Sequence, residues 1–171
     1  CKVEWRRDQH CYAPVLDGWG ESSQPGLFVA GDGAGIAGAI AAEHRGTLAG
    51  LAVAARLGAV SSAMAEAEAA PARKLLEREL AFRPFLDALY RPPQQHRIPT
   101  EDTVVVCRCE EVTAGQVRNY VGLGCQGPNQ TKAFGRCGMG PCQGRLCGLT
   151  VTEMIADARG VSPADVGYYR I

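Results

Sequence analysis

Six of the chain's eight cysteines fall between residues 101 and 171, as Cys107-Arg108-Cys109, Cys125, Cys137-Gly138-Met139-Gly140-Pro141-Cys142 and Cys147. Two close pairs of thiolates make a metal or iron–sulfur site. Structural zinc usually takes C-x₂₋₄-C pairs, whose turn lets both sulfurs reach one tetrahedral ion. A C-x-C pair on extended backbone suits a two-iron cluster better. Glycines around the second pair let the backbone approach inorganic sulfide and donate N–H hydrogen bonds to it. Arg108, Lys132, Arg136 and Arg145 are cations that could offset the negative charge of such a cluster. Zinc stays open as an alternative. A disulfide framework is disfavoured by the lopsided placement and by the opening Cys1-Lys2-Val3-Glu4-Trp5, which has no secretory pattern.

This region resembles the [2Fe-2S] domain of bacterioferritin-associated ferredoxin, a small helical domain patterned C-x-C, a longer spacer, then C-x₂-C. Here the last pair is C-x₄-C, with Met139, Gly140 and Pro141 in its spacer. That form is similar to the variant appended to flavoprotein subunits of multi-subunit amine and amino-acid dehydrogenases. The run Arg136-Cys137-Gly138-Met139-Gly140-Pro141-Cys142-Gln143-Gly144-Arg145 is close to a signature there. The resemblance implies Cys107, Cys109, Cys137 and Cys142 as the ligands. Cys125, in a Gly-rich turn, and Cys147, inside a helix expected from Gln143 to Arg159, are read as small buried hydrophobes.

A second motif is Gly31-Asp32-Gly33-Ala34-Gly35-Ile36-Ala37-Gly38. It follows an apolar run, Gly26–Ala30, expected to be a buried strand, and precedes an Ala-rich helix. Small residues let a phosphate approach the backbone, and a helix start offers free N–H groups. Gly33, Gly35 and Gly38 match G-x-G-x-x-G. A complete dinucleotide fingerprint also needs an acid about 20 residues further on, and Arg56 to Ser62 supplies none. The stretch Ser22 to Asp32 instead resembles a late motif of two-dinucleotide-domain flavoproteins. That resemblance implies that Asp32 binds a ribityl hydroxyl of FAD, with Gly31, Gly33 and Ala34 forming the turn. It also implies only a partial flavin site, completed by the remainder of the same flavoprotein subunit. A tight turn with glycines for packing alone is the plain alternative.

The elements that must hold these groups divide the chain into three zones. Residues 1–60 are expected to be a piece of an FAD-binding domain, 61–100 a helical linker, and 101–171 the cluster domain. Pro71 is placed to open a helix, Leu75, Leu76, Leu80 and Leu86 mark its apolar stripe, and Arg91-Pro92-Pro93 stops it. In the third zone Thr113-Ala114-Gly115-Gln116 is a capping box. Pro128 and Asn129 open a second helix. Leu146, Leu149, Met154 and Ile155 line a third, which Gly160 ends. Ser162-Pro163 caps one more turn. Tyr168, Tyr169 and Ile171 are read as packing residues, with docking on a partner as the alternative. The fold class is thus an α/β flavoprotein fragment followed by a small, mainly α [2Fe-2S] domain.

The 171 residues carry 18 Lys+Arg against 18 Asp+Glu, which lacks the basic footprint of a nucleic-acid binder. No apolar run approaches the roughly 18 residues that span a bilayer. Gly, at 21 residues, is well above its average share of about 7%. His10, His44 and His96 share no spacing, and no Ser/His/Asp or Cys/His nucleophile set is present. The chain begins at Cys1 without Met and is expected to belong to a longer protein. The two motifs together resemble the flavoprotein α (A) subunit of opine oxidases, of hydroxyproline or proline dehydrogenases, and of hydrogen cyanide synthase. That resemblance implies an electron relay from a catalytic amino-acid or amine dehydrogenase subunit, with a small ferredoxin-like subunit as a further partner. It also implies a cytoplasmic site, including the inner-membrane periphery through the complex. Two other readings are an NAD(P)H-dependent flavoprotein reductase with an appended cluster domain, and a zinc-stabilised binding module.

Overall fold

The computed structural model describes residues 1–170, so the expectation for Ile171 lies outside the described residues. The chain forms two compact units, residues 1–91 and 92–171. The division falls beside the Arg91-Pro92-Pro93 stop. Residues 61–91 of the helical zone therefore belong to the first unit, and residues 92–100 belong to the second. No helix among the described residues is long and apolar enough to cross a membrane.

The first unit opens with an antiparallel hairpin, β1 (Val3–Arg6) and β2 (Cys11–Pro14), in the register Val3↔Pro14 to Arg6↔Cys11. Trp5 and Tyr12 pack edge-on across it, with ring centroids 5.1 Å apart. Two long helices follow, α1 (Ala39–Arg56) and α2 (Ser62–Ala81), then the short α3 (Arg83–Leu89). Alanines bring α1 and α2 close together. Leu48, Ala69 and Ala72 form their buried core, with Trp19, Leu51 and Leu76 packed against it.

Three local expectations need correction in this unit. Residues 26–30 are not a strand: Phe28 makes one isolated bridge to Glu21, and the segment's hydrogen bonds run back to residues 20–24. Pro71 does not open a helix. It lies inside α2, whose start is set ten residues earlier by Ser61 accepting the Met64 N–H at 3.1 Å. The helix-favouring Ala/Glu run before Pro71 outweighs the roughly 3 kcal/mol that an interior proline costs. The leucine stripe is also narrower than expected, since Leu75 is exposed while Leu76 packs on the core.

The second unit is mainly helical. A short helix, α4 (Gln94–Arg97), leads to an antiparallel hairpin of β3 (Val105–Cys107) and β4 (Val112–Thr113). Helices α5 (Ala114–Gly122), α6 (Pro128–Gly135), α7 (Gly148–Arg159) and α8 (Pro163–Val166) follow. The core joins Val112, Val117, Tyr120, Val151, Met154 and Ile155 to Cys107, Cys125, Cys137 and Cys147. Most of α7 is enclosed, and its buried Glu153 pairs with Arg97.

The expected capping box is present: Thr113 accepts the Gln116 N–H while the Gln116 side chain accepts the Thr113 N–H. Replacing Thr113 by alanine should cost about 0.5–2 kcal/mol, read as a lower denaturation midpoint of the second unit. Gly160 ends α7 in the left-handed conformation, and Ser162 caps α8, both as the sequence suggests.

Candidate metal centre

Three local structures carry the thiols to one place. The β3–β4 hairpin ends a strand at Cys107, which is buried, and turns through Cys109, which is exposed. Helix α6 stops where Arg136 adopts a left-handed φ of 60°, which throws the chain into the loop bearing Cys137 and Cys142. That loop ends at Cys147, immediately before α7.

The sulfurs of Cys107, Cys137 and Cys147 lie within 4.8 Å of one another and are all buried. The thiols of Cys109 and Cys142 hydrogen-bond each other beside them. Gly140 backs directly on Cys109, and a Cβ there would collide with that side chain. All eight cysteines are free thiols.

Electrostatics around the two groups differ. The Cys137 thiol is pulled down to about 6, first by the Cys147 thiol donating to it and further by Tyr169, Cys107 and Thr131, against the cost of burial. Cys147 is pushed up because it is that donor and is itself buried. Cys142 is lowered chiefly by the Leu146 N–H, then by the Cys109 thiol and the N–H groups of Gly144 and Arg145. Cys109 has the Cys142 N–H drawing it down, but the neighbouring thiols and lost solvent push it up on balance. Sulfur at Cys137 and Cys142 is therefore held ready to carry negative charge, the form in which thiols bind metals.

The four expected ligands are thus brought together as Cys107 with Cys137 and Cys109 with Cys142. Cys147 was expected to point elsewhere and instead joins the buried group. The helix thought to begin at Gln143 begins at Gly148, because Gln143 and Gly144 both have positive φ (53° and 76°). The two glycines flanking Arg145–Cys147 were the available signal. Cys125 stays apart, with its thiol donating to the Gly127 carbonyl at 3.3 Å and its pKa raised by burial.

Of the four cations, Arg145 donates to the Cys142 carbonyl at 3.3 Å and Lys132 sits 5.5 Å from the centre of the Tyr169 ring. Arg136 turns instead to Glu110, 2.9 Å away. No contact of Arg108 with the thiols is seen. An iron–sulfur cluster or a zinc ion fits the chemistry of this donor set, which is thiol throughout.

In the first unit, Gly31, Asp32, Gly33 and Ala34 form one 3₁₀ turn ahead of α1. Asp32 is exposed, and its Oδ1 accepts the N–H groups of Ala37 (3.2 Å) and Gly38 (3.4 Å). Arg45 donates to the carbonyls of Gly31 and Gly35, so the turn is tied to the helix it precedes. Gly38 occupies the N-cap of α1 with no side-chain cap, which leaves that helix start open to an anion. The cavity behind the turn, lined by Val29, Ala34, Arg45 and Leu76, holds about 230 Å³. That is below the roughly 300–1,000 Å³ usual for ligand pockets.

Along its whole length the chain is 51% identical to the opine oxidase A subunit of Rhizobium meliloti, of which it covers 32%. It is 50% identical over 172 residues to the opine oxidase A subunit of Agrobacterium tumefaciens strain Ach5, covering 34% of that protein. Hydrogen cyanide synthase subunit HcnB of Pseudomonas aeruginosa is 35% identical over 153 residues, which is 89% of this chain and 32% of the relative. No family model matches the chain, and no solved structure does. The chain spans about a third of the length of these curated relatives. Over its full length, at about half identity, the chain is thus similar to opine oxidase A subunits.

Proposed function

We propose that the second unit holds a [2Fe-2S] cluster and serves as the electron-relay part of an oxidoreductase subunit. The observation that carries this is the convergence of five free thiols, three of them buried within 4.8 Å of one another and two paired at their side. Cys107, Cys109 and Cys142 would supply three of the cluster's ligands, and a partner from the buried group of Cys107 would supply the fourth. Motif spacing gives that place to Cys137, and the position of the Cys147 sulfur makes Cys147 its competitor.

Such a cluster supplies one-electron redox chemistry, which splits the two-electron output of a reduced flavin. The chain's part is to bind, bury and bias. The N–H groups of Leu146, Gly144 and Arg145 stabilise negative charge on Cys142. Tyr169 and Thr131 do the same for Cys137. Gly31, Asp32, Gly33 and Ala34 are the contribution to an FAD site shared with the rest of the same subunit. The relatives' names support an oxidoreductase role in an assembly of subunits. By extension, electrons come from oxidation of a C–N bond in an opine, amino acid or amine at a partner subunit. A small ferredoxin-like subunit is a further partner. Free thiols suit the reducing cytoplasm, with the inner-membrane periphery reached through the complex.

Metal and sulfide analysis of the anaerobically purified full-length protein tests this. Iron and acid-labile sulfide in equal amounts, with reddish-brown colour, are expected. Colourless protein with stoichiometric zinc overturns it. Bleaching of that colour by an amino acid or opine in the assembled enzyme, and not by NAD(P)H, is expected for the proposed direction of electron flow.

A further inference from the structure

The last described residues do not trail into solvent. After α8 the chain turns back over the second unit, and four separate hydrogen bonds hold it there. The Thr152 hydroxyl donates to the Gly167 carbonyl at 3.0 Å. The Asn129 amide donates to the Tyr168 carbonyl at 2.8 Å and accepts the Arg170 N–H at 2.9 Å. Lys132 donates to the Arg170 carbonyl. The strap is thereby tied to both α6 and α7.

What it delivers is the Tyr169 side chain. Its ring lies on the backbone of three glycines in and next to the thiol loop. A Cβ on Gly138 or on Gly144 would stand 2.6 Å from ring carbons, and one on Gly148 would stand 3.2 Å away. The φ angles of +85° at Gly138 and +76° at Gly144 are glycine conformations as well. Packing alone rarely demands three side-chain-free positions under one ring. The hydroxyl continues inward to the Thr131 hydroxyl, 2.8 Å away, and to the Cys137 thiol. Thr131 is fully buried and also reaches the Pro128 carbonyl at 2.7 Å. A metal-bound sulfur only accepts hydrogen bonds, so toward a cluster the Tyr169 O–H is the donor and the Thr131 hydroxyl donates to the tyrosine oxygen.

We propose that residues 167–170 are a strap that lays Tyr169 across the thiol loop as a lid, with its hydroxyl a positioning group that donates to the Cys137 sulfur. The second half of this rests on the cluster reading above; the first half does not. The ring keeps water and oxidants from the buried thiol group, and the hydroxyl offsets negative charge on sulfur and so raises the reduction potential of a cluster held there. Lys132, 5.5 Å from the ring centre, adds positive charge on the same side.

The test uses the full-length protein, with folding checked by circular dichroism and thermal melting. In the metal-free form, a water-soluble thiol reagent should modify the buried cysteines of Tyr169→Leu about tenfold faster or more than in wild type, since local opening no longer has to displace the ring. Asn129→Ala, which loosens the strap but keeps the ring, should fall between them. Tyr169→Phe should match wild type in that assay yet shift the reduction midpoint of the loaded protein to more negative values. Wild-type thiol kinetics in folded Tyr169→Leu and Asn129→Ala overturn the lid. An unchanged midpoint in Tyr169→Phe overturns the hydrogen bond. Wild-type protein that takes up no iron or sulfide sinks the cluster reading alone, because the thiol assay needs no metal.

Discussion

Cys142→Ala should purify as a folded protein with background iron and sulfide and no visible absorption. Three backbone N–H groups, from Leu146, Gly144 and Arg145, converge on the Cys142 sulfur. Such an arrangement has little purpose for a neutral thiol, and alanine leaves it without an acceptor. Cys142 is half-buried and its neighbour Cys109 is exposed, so the substitution opens no void in the core and the fold should persist. Loss of metal with retained helicity is therefore the signature of a ligand rather than of a packing residue. Alanine at Cys137 and at Cys147 then divides the remaining pair: one substitution should remove the cluster and the other should leave iron content intact. A Cys142→Ala protein with full iron and sulfide would sink the cluster assignment.

A large stability effect is expected at Ile155. It is fully buried in α7, and it shares a core with Val117, Val151 and Met154 and with the buried cysteines. Removing its side chain to alanine should cost about 2–5 kcal/mol, the lost transfer energy plus the cavity left behind. For a unit of roughly 80 residues, each 1 kcal/mol moves the midpoint by about 4–8 °C, so the melting temperature of the second unit should fall by about 10 °C or more. Thermal melting of the metal-free protein measures this directly. The same change should speed iron loss, because the first turn of α7 fixes Cys147. A shift within about 2 °C would mean that the second unit does not depend on this core.

The parts of the fold that could be read in the sequence are those decided within one or two turns of chain. The capping box at Thr113, the left-handed stop at Gly160, the Ser162 cap and the break at Arg91-Pro92-Pro93 each depend on residues a few places apart. The resemblance implied that Cys107, Cys109, Cys137 and Cys142 act together, but not that Cys107 would lie with Cys137 and Cys109 with Cys142.

Other features were decided by conformations or contacts that residue types do not announce. Gln143 takes a left-handed φ although it is not glycine, and together with Gly144 it delays α7, whose N-cap is Cys147. Tyr169 meets Thr131 across 38 residues of sequence, so nothing local separates a lid from an ordinary packing tyrosine. The run 26–30 has the composition of a strand, but its backbone hydrogen bonds fold back on residues 20–24. Pro71 sits where a helix start is the usual reading, and the helix began earlier because Ser61 and the alanines after it were sufficient.

The ion pair between Arg97 and Glu153 spans 56 positions and joins the first turn of the second unit to its most enclosed helix. Arg118 likewise reaches back to the Pro99 carbonyl and to Asp102. In mechanical terms, the residues just after Arg91-Pro92-Pro93 are an anchor rather than a leash. Slack in the connecting chain ends at about Arg97, and tension applied there is borne by α7, the helix on whose first turn Cys147 rests.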